Sequence, residues 1–97
     1  MRVKDKRLSD YGITSKNEKE VKNYCRNADY ETLQVIKAIC MKLYPDVGDG
    51  LFESLVNKMS YSRLYARNCV YLSEGAFYGY RRRLIAVLYK VMLAIEE

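Results

Sequence analysis

The stretch from Ser73 to Leu93 contains no proline. Drawn as a helix at about 100° per residue, it puts Phe77, Tyr80, Leu84, Leu88, Val91 and Ile95 on one side, with Ile85 and Met92 on the flank. Ser73 is placed to accept hydrogen bonds from the open amides of a first turn, and Glu74 meets the positive end of the helix dipole. A long helix with such an apolar stripe cannot leave it in water. The rest of the chain therefore has to supply the surface that covers it.

The other side of this helix reads Gly75, Tyr78, Gly79, Arg82, Arg83 and Ala86, a mixture of small residues, one aromatic and guanidinium groups. Glycine inside a helix costs about 1 kcal/mol relative to alanine. On an outward face core packing would not demand it, so Gly79 implies close approach of a ligand to the backbone. The expectation is an outward, anion-facing surface centred on Gly79.

The preceding segments read as shorter helices. Residues Met1 to Arg7 form a basic arm without apolar periodicity, expected to be mobile, and Leu8, Tyr11 and Ile13 anchor a turn. Ser15 and Glu18 have capping-box spacing, which predicts a first helix from Lys16 to Arg26. Asp29 can cap a second from Tyr30 to Tyr44, with Leu33, Ile36, Ile39, Cys40 and Leu43 as its core face. Pro45 to Gly50 is a turn by composition, Leu51 to Met59 a third helix, and Tyr61 to Asn68 a fourth, capped by Ser60 with Leu64 and Tyr65 inward. Cys69, Val70, Tyr71 and Leu72 make an apolar connector into the last helix. Helix, apolar turn and basic helix together are the anatomy of a helix-turn-helix at about 60–93.

A chain of 97 residues, 49% hydrophobic, fits one all-α domain: a small helical bundle at 15–97 behind the arm and turn at 1–14. There is no apolar run of spanning length and no signal-peptide pattern at the N-terminus, so a cytoplasmic protein with no membrane partner is expected. Histidine is absent, which removes the commonest general base and metal ligand. Cys25, Cys40 and Cys69 have no Cys-x-x-Cys spacing and read as reduced, half-buried thiols. No cofactor, no metal and no enzymatic activity are expected. The formal charge of +5 gathers at the two ends of the chain, which suits a polyanionic partner.

Ser60-Tyr-Ser-Arg-Leu-Tyr-Ala66, then Leu72-Ser73 and Phe77-Tyr-Gly-Tyr-Arg-Arg-Arg83, resemble phage and prophage transcriptional regulators of the RinA/ArpU kind, related to the DNA-reading region of sigma factors. Asp10 to Ile13 and Asn23 to Asn27 are similar to the leader of small phage proteins that carry this C-terminal motif. The resemblance implies DNA binding near a promoter, with RNA polymerase as a further partner.

Under that reading the start of the last helix lies in the major groove of double-stranded DNA. Glu74, Gly75, Tyr78 and Arg82 face bases, Gly79 admits a close approach, and Arg81, Arg83, Lys90 and the N-terminal arm neutralise phosphates. Arg81, nearer the core side, has to snorkel outward or pair with an acidic residue. The alternative is a small phage interaction module that docks an acidic host or phage protein through the same face. A homo-oligomer burying the tyrosine-rich surface is a third option.

Overall fold

The computed structural model describes residues 6–67 and 70–96, and the chain positions below are those. The first helix, α1, spans Ser15–Arg26 and is capped one residue before the expected position. Thr14 Oγ1 accepts from the Asn17 amide and Asn17 Oδ1 accepts from the Thr14 amide, each at 3.1 Å. Threonine at position 14 offers the same three-residue spacing as Ser15 with Glu18, and its β-branched side chain favours the extended backbone a cap needs. Glu18 instead pairs with Lys22 at 3.4 Å along the helix.

Helix α2 spans Tyr30–Leu43, and Asp29 caps it as its spacing predicts, accepting from the Thr32 amide at 2.9 Å. Helix α3 spans Gly48–Val56, starting and ending three residues before the expected Leu51 and Met59. It has no side-chain cap. Its first residue lies against the end of α2, where a Cβ on Gly48 would meet Met41 Sδ at 2.7 Å and the Cys40 carbonyl oxygen at 2.8 Å. Gly48 is therefore a contact residue between two helices as well as part of a turn. Helix α4 spans Tyr61–Ala66 behind the Ser60 cap, and Asn68 and Cys69 lie outside the described residues. Helix α5 spans Glu74–Glu96, and Ser73 Oγ accepts from the Ala76 amide at 3.3 Å. A 3-10 turn at Leu8–Tyr11 precedes α1 and is closed by Gly12 at a φ of 74°, a value that side chains disfavour. Among the described residues there is no strand, and no helix is long and apolar enough to cross a membrane.

The architecture is a small all-α bundle built on α5. Helices α1 and α2 and the 3-10 turn lie against α5, while α1 and α2 also pack on α3. Phe77, Leu84 and Leu88 are buried as the apolar stripe predicts, with Ile36, Cys40, Leu55 and Leu64 facing them from the other helices. Leu33, Ile39 and Leu43 are only partly buried. Ile95 is 61% exposed, because the covering helices end before it, and Tyr65 points outward from α4.

The largest correction concerns the expected outer face of α5. Gly79 and Ala86 are buried along with the flanking Ile85, so the middle of the helix is enclosed on most of its circumference. The N-terminal 3-10 turn packs against α5. Leu8 and Tyr11 pack on the core, Lys6 Nζ sits 4.9 Å from the Tyr11 ring centre, and the Lys6 carbonyl accepts from Arg82 Nε at 2.7 Å. The end of the basic arm is thus docked on α5, and Arg7 is held through its amide to Asp10 at 2.8 Å. Residues 1–5 of the expected arm lie outside the described residues.

Gly48→Ala should lower the unfolding free energy by about 1–3 kcal/mol in urea denaturation, because the added methyl meets a backbone carbonyl that cannot swing away. Gly79→Leu should also destabilise the fold, by a similar order, through overpacking of a buried helix face. An unchanged thermal midpoint in Gly79→Leu would return that residue to the surface.

Candidate functional site

The eight residues assigned to one DNA-reading face divide into three environments. Glu74 and Gly75 are exposed on the first turn of α5, and a Cβ on Gly75 would have nothing within 4 Å. Arg83 and Lys90, two turns apart, form a second exposed stripe. Arg83 Nη1 donates to the Tyr44 hydroxyl at 3.3 Å, and its guanidinium lies 5.9 Å from the Tyr44 ring centre, so its position is fixed by α2. The remaining four, Tyr78, Gly79, Arg81 and Arg82, face inward or sideways. Gly79 is buried and offers no backbone to a ligand, and Arg82 is half-buried and tied to the Lys6 carbonyl. Neither retains the assigned contact.

The turn between α4 and α5 is pinned from both sides. Tyr61 Oη donates to the Leu72 carbonyl at 2.6 Å, and its ring packs on Phe77 with centroids 5.7 Å apart. The Tyr78 hydroxyl accepts from the Tyr61 amide at 3.4 Å, and the Tyr78 ring meets Phe77 edge-on at 5.3 Å. Val70 plugs the angle between the helices, as the apolar connector predicts, while Tyr71 is 80% exposed beside it. Arg63 on α4 and Arg67 just after it are exposed, with Arg67 Nη1 donating to Met59 Sδ at 3.9 Å.

Of its two expected courses, Arg81 follows the outward one only in part. It does not reach solvent fully, and it makes no ion pair among the described residues. Its Nε is buried without a hydrogen-bond partner, and its guanidinium lies 5.9 Å from the Tyr78 ring centre. Burial pulls the Arg81 pKa down from its ordinary value, and the Arg26 charge acts in the same direction against the opposing influence of Tyr78 and Glu18. The side chain borders a cleft of about 260 Å³ lined by Arg26, Ser54, Lys58, Met59, Ser60, Tyr78 and Arg81. Arg26, Lys58, Ser54 and Ser60 carry no sequence signal for this grouping. They come from the ends of α1 and α3, from the body of α3 and from the cap of α4, and only the packing brings them together.

The two described cysteines are unpaired and fully buried. Burial pushes the Cys25 thiol up to about 11 and the Cys40 thiol up to about 12, the latter with help from Cys25. Both are held as neutral thiols, which removes thiolate nucleophilicity from the interior.

Comparison with protein-family models, with curated proteins and with solved structures finds no match for this chain.

The thiols make a pH prediction. Unfolded cysteine ionises above about pH 8.5. The folded thiols keep their protons to about 11 and about 12, so the native state binds more protons in that window. Stability from this source is full below about pH 8.5 and is lost as pH rises through the folded values. Urea midpoints should fall on the alkaline side, less steeply in Cys40→Ala, and iodoacetamide at neutral pH should leave Cys25 and Cys40 unmodified until denaturant is added. Rapid native-state labelling of either residue would contradict their burial.

Proposed function

We propose that this chain is a DNA-binding transcriptional regulator of phage type that docks on duplex DNA with the corner formed by α4, the connector and the first turn of α5. It acts by binding, in the cytoplasm, without catalysis. In helix-turn-helix proteins the N-terminal residues of the second helix contact base edges, while the first helix crosses the backbone. The observation that carries the reading is the open first turn of α5 at the end of a turn pinned by Tyr61, Phe77 and Tyr78.

In this arrangement Glu74 and Gly75 enter the groove, and the bare Gly75 position lets the helix start come close to the base edges. Arg63 on α4 and the Arg83–Lys90 stripe on α5 neutralise backbone phosphates. The inward residues have supporting roles: Tyr78 fixes α4 relative to α5, and Arg82 fastens the N-terminal segment. The Ser60–Ala66 and Phe77–Arg83 strings that resemble phage regulators flank this corner.

Fluorescence anisotropy with a labelled duplex tests the reading. If Arg63, Arg83 and Lys90 each neutralise one phosphate, affinity should fall roughly 40-fold between about 50 and about 200 mM salt. Gly75→Leu should weaken binding about tenfold. Its melting temperature should stay close to that of the parent, because the added side chain projects into open space. Affinity for the duplex that ignores both salt and Gly75→Leu would assign this corner to a protein partner instead.

A further inference from the structure

We propose that the cleft between the ends of α1 and α3, the cap of α4 and the third turn of α5 is a binding site for a phosphoryl group, held by Arg26, Lys58 and Arg81.

Among the described residues three cations line this cleft and no carboxylate does. Two of them have an ordinary explanation, since Arg26 ends α1 and Lys58 follows α3, and cations are stabilising at helix C-termini. Arg81 has none. It sits within α5, half-buried, where a guanidinium whose Nε is shut off from water and which has no acidic partner among the described residues is unfavourable, and the Tyr78 ring lies 5.9 Å from it. Glu18 attracts Arg81 from a distance, but its carboxylate is engaged by Lys22. An unpaired cation kept in place among other cations is what an oxyanion site looks like before its ligand arrives.

Lys58 strengthens the case. It is the one described residue other than glycine with positive φ, at 57°, in the left-handed region where lysine is strained and glycine is not. The conformation turns the chain so that the Met59 amide reaches the Glu53 carbonyl at 3.3 Å. Glycine would make that turn at less cost; lysine adds a charge beside Arg81. Ser60 and Tyr78 also line the cleft; their hydroxyl oxygens accept from the Arg63 and Tyr61 amides, which leaves each hydroxyl proton free to be donated. At about 260 Å³ the cleft is smaller than sites that enclose drug-sized ligands. It fits a compact oxyanion or the terminal phosphate of a longer molecule.

The site does not depend on the DNA reading, and its test uses the full chain with inorganic phosphate. Thermal melts at constant ionic strength should show a saturable rise of roughly 5 °C in millimolar phosphate that chloride does not reproduce. Arg81→Met should melt at or above the parent temperature in chloride, since it removes a half-buried cation whose Nε has no hydrogen-bond partner, and should gain nothing from phosphate. Lys58→Gly should be more stable than the parent in chloride because the strain is relieved, with at least half of the phosphate response lost. These two variants keep the test valid even where loss of a side chain perturbs folding, because both are expected to retain or raise stability. Duplex affinity of Arg81→Met then separates the sources. A loss places a DNA backbone phosphate in the cleft, and no change assigns it to a phosphorylated small molecule. Equal stabilisation by phosphate and chloride, or an undiminished phosphate response in both variants, overturns the proposal.

Discussion

Enclosure of the middle of α5 is the constraint on which the other features depend. Phe77, Leu84 and Ile85 are wholly inaccessible, and Ala86 and Leu88 nearly so, although Ile85 and Ala86 point away from the side that Phe77, Leu84 and Leu88 share. Each large side chain of that set contributes about 1.5–3 kcal/mol when removed from water. That contribution is realised only if α1, α2 and the N-terminal segment cover different sectors together. Asn17 Nδ2 donating to the Tyr89 hydroxyl at 3.1 Å, Tyr44 against Tyr80 with centroids 4.6 Å apart, and the Arg82 bond to Lys6 mark those three covers.

The same constraint explains why the arginine string does not act as one patch. Consecutive residues on a helix project about 100° apart, so three arginines in a row cannot share a face. Arg81 is carried into the cleft behind α4, Arg82 under the N-terminal segment, and Arg83 out beside Tyr44. One run of like charge in the sequence becomes three sites with different tasks. Tyr78 connects two of the regions, because its hydroxyl holds the start of α4 while its ring borders the cation cleft. A ligand in the cleft would therefore bear on the orientation of the α4–α5 corner.

Local signals are legible in the sequence where one cap residue stands alone, and less so at α1, where Thr14 and not Ser15 is the cap. Asp29, Ser60 and Ser73 cap the helices their spacing indicates, and the period of Phe77, Leu84 and Leu88 identifies the core side of α5. What escaped depends on contacts distant along the chain. Gly79 looks outward on a helical wheel, which carries no information on what packs around α5, and charge composition gives Lys6 and Arg7 a mobile role although the Lys6 carbonyl accepts from Arg82. Gly48 read as a turn residue because its contact with the Cys40 carbonyl is made only when α2 and α3 pack. Of the candidate site, the exposed positions Glu74, Gly75, Arg83 and Lys90 were legible. The grouping of Arg26 and Lys58 with Arg81 was not, since no periodicity joins the ends of two helices to the body of a third.

Native-state hydrogen exchange tests the enclosure of α5 most directly. The account predicts that amides from Leu84 to Leu88 exchange only through global unfolding and are among the slowest in the protein, while α4 and the connector open at lower free energy. If the middle of α5 exchanged ahead of Ile36 and Cys40 in α2, the helix would be opening independently as a surface element, and the central place given to it here would be contradicted.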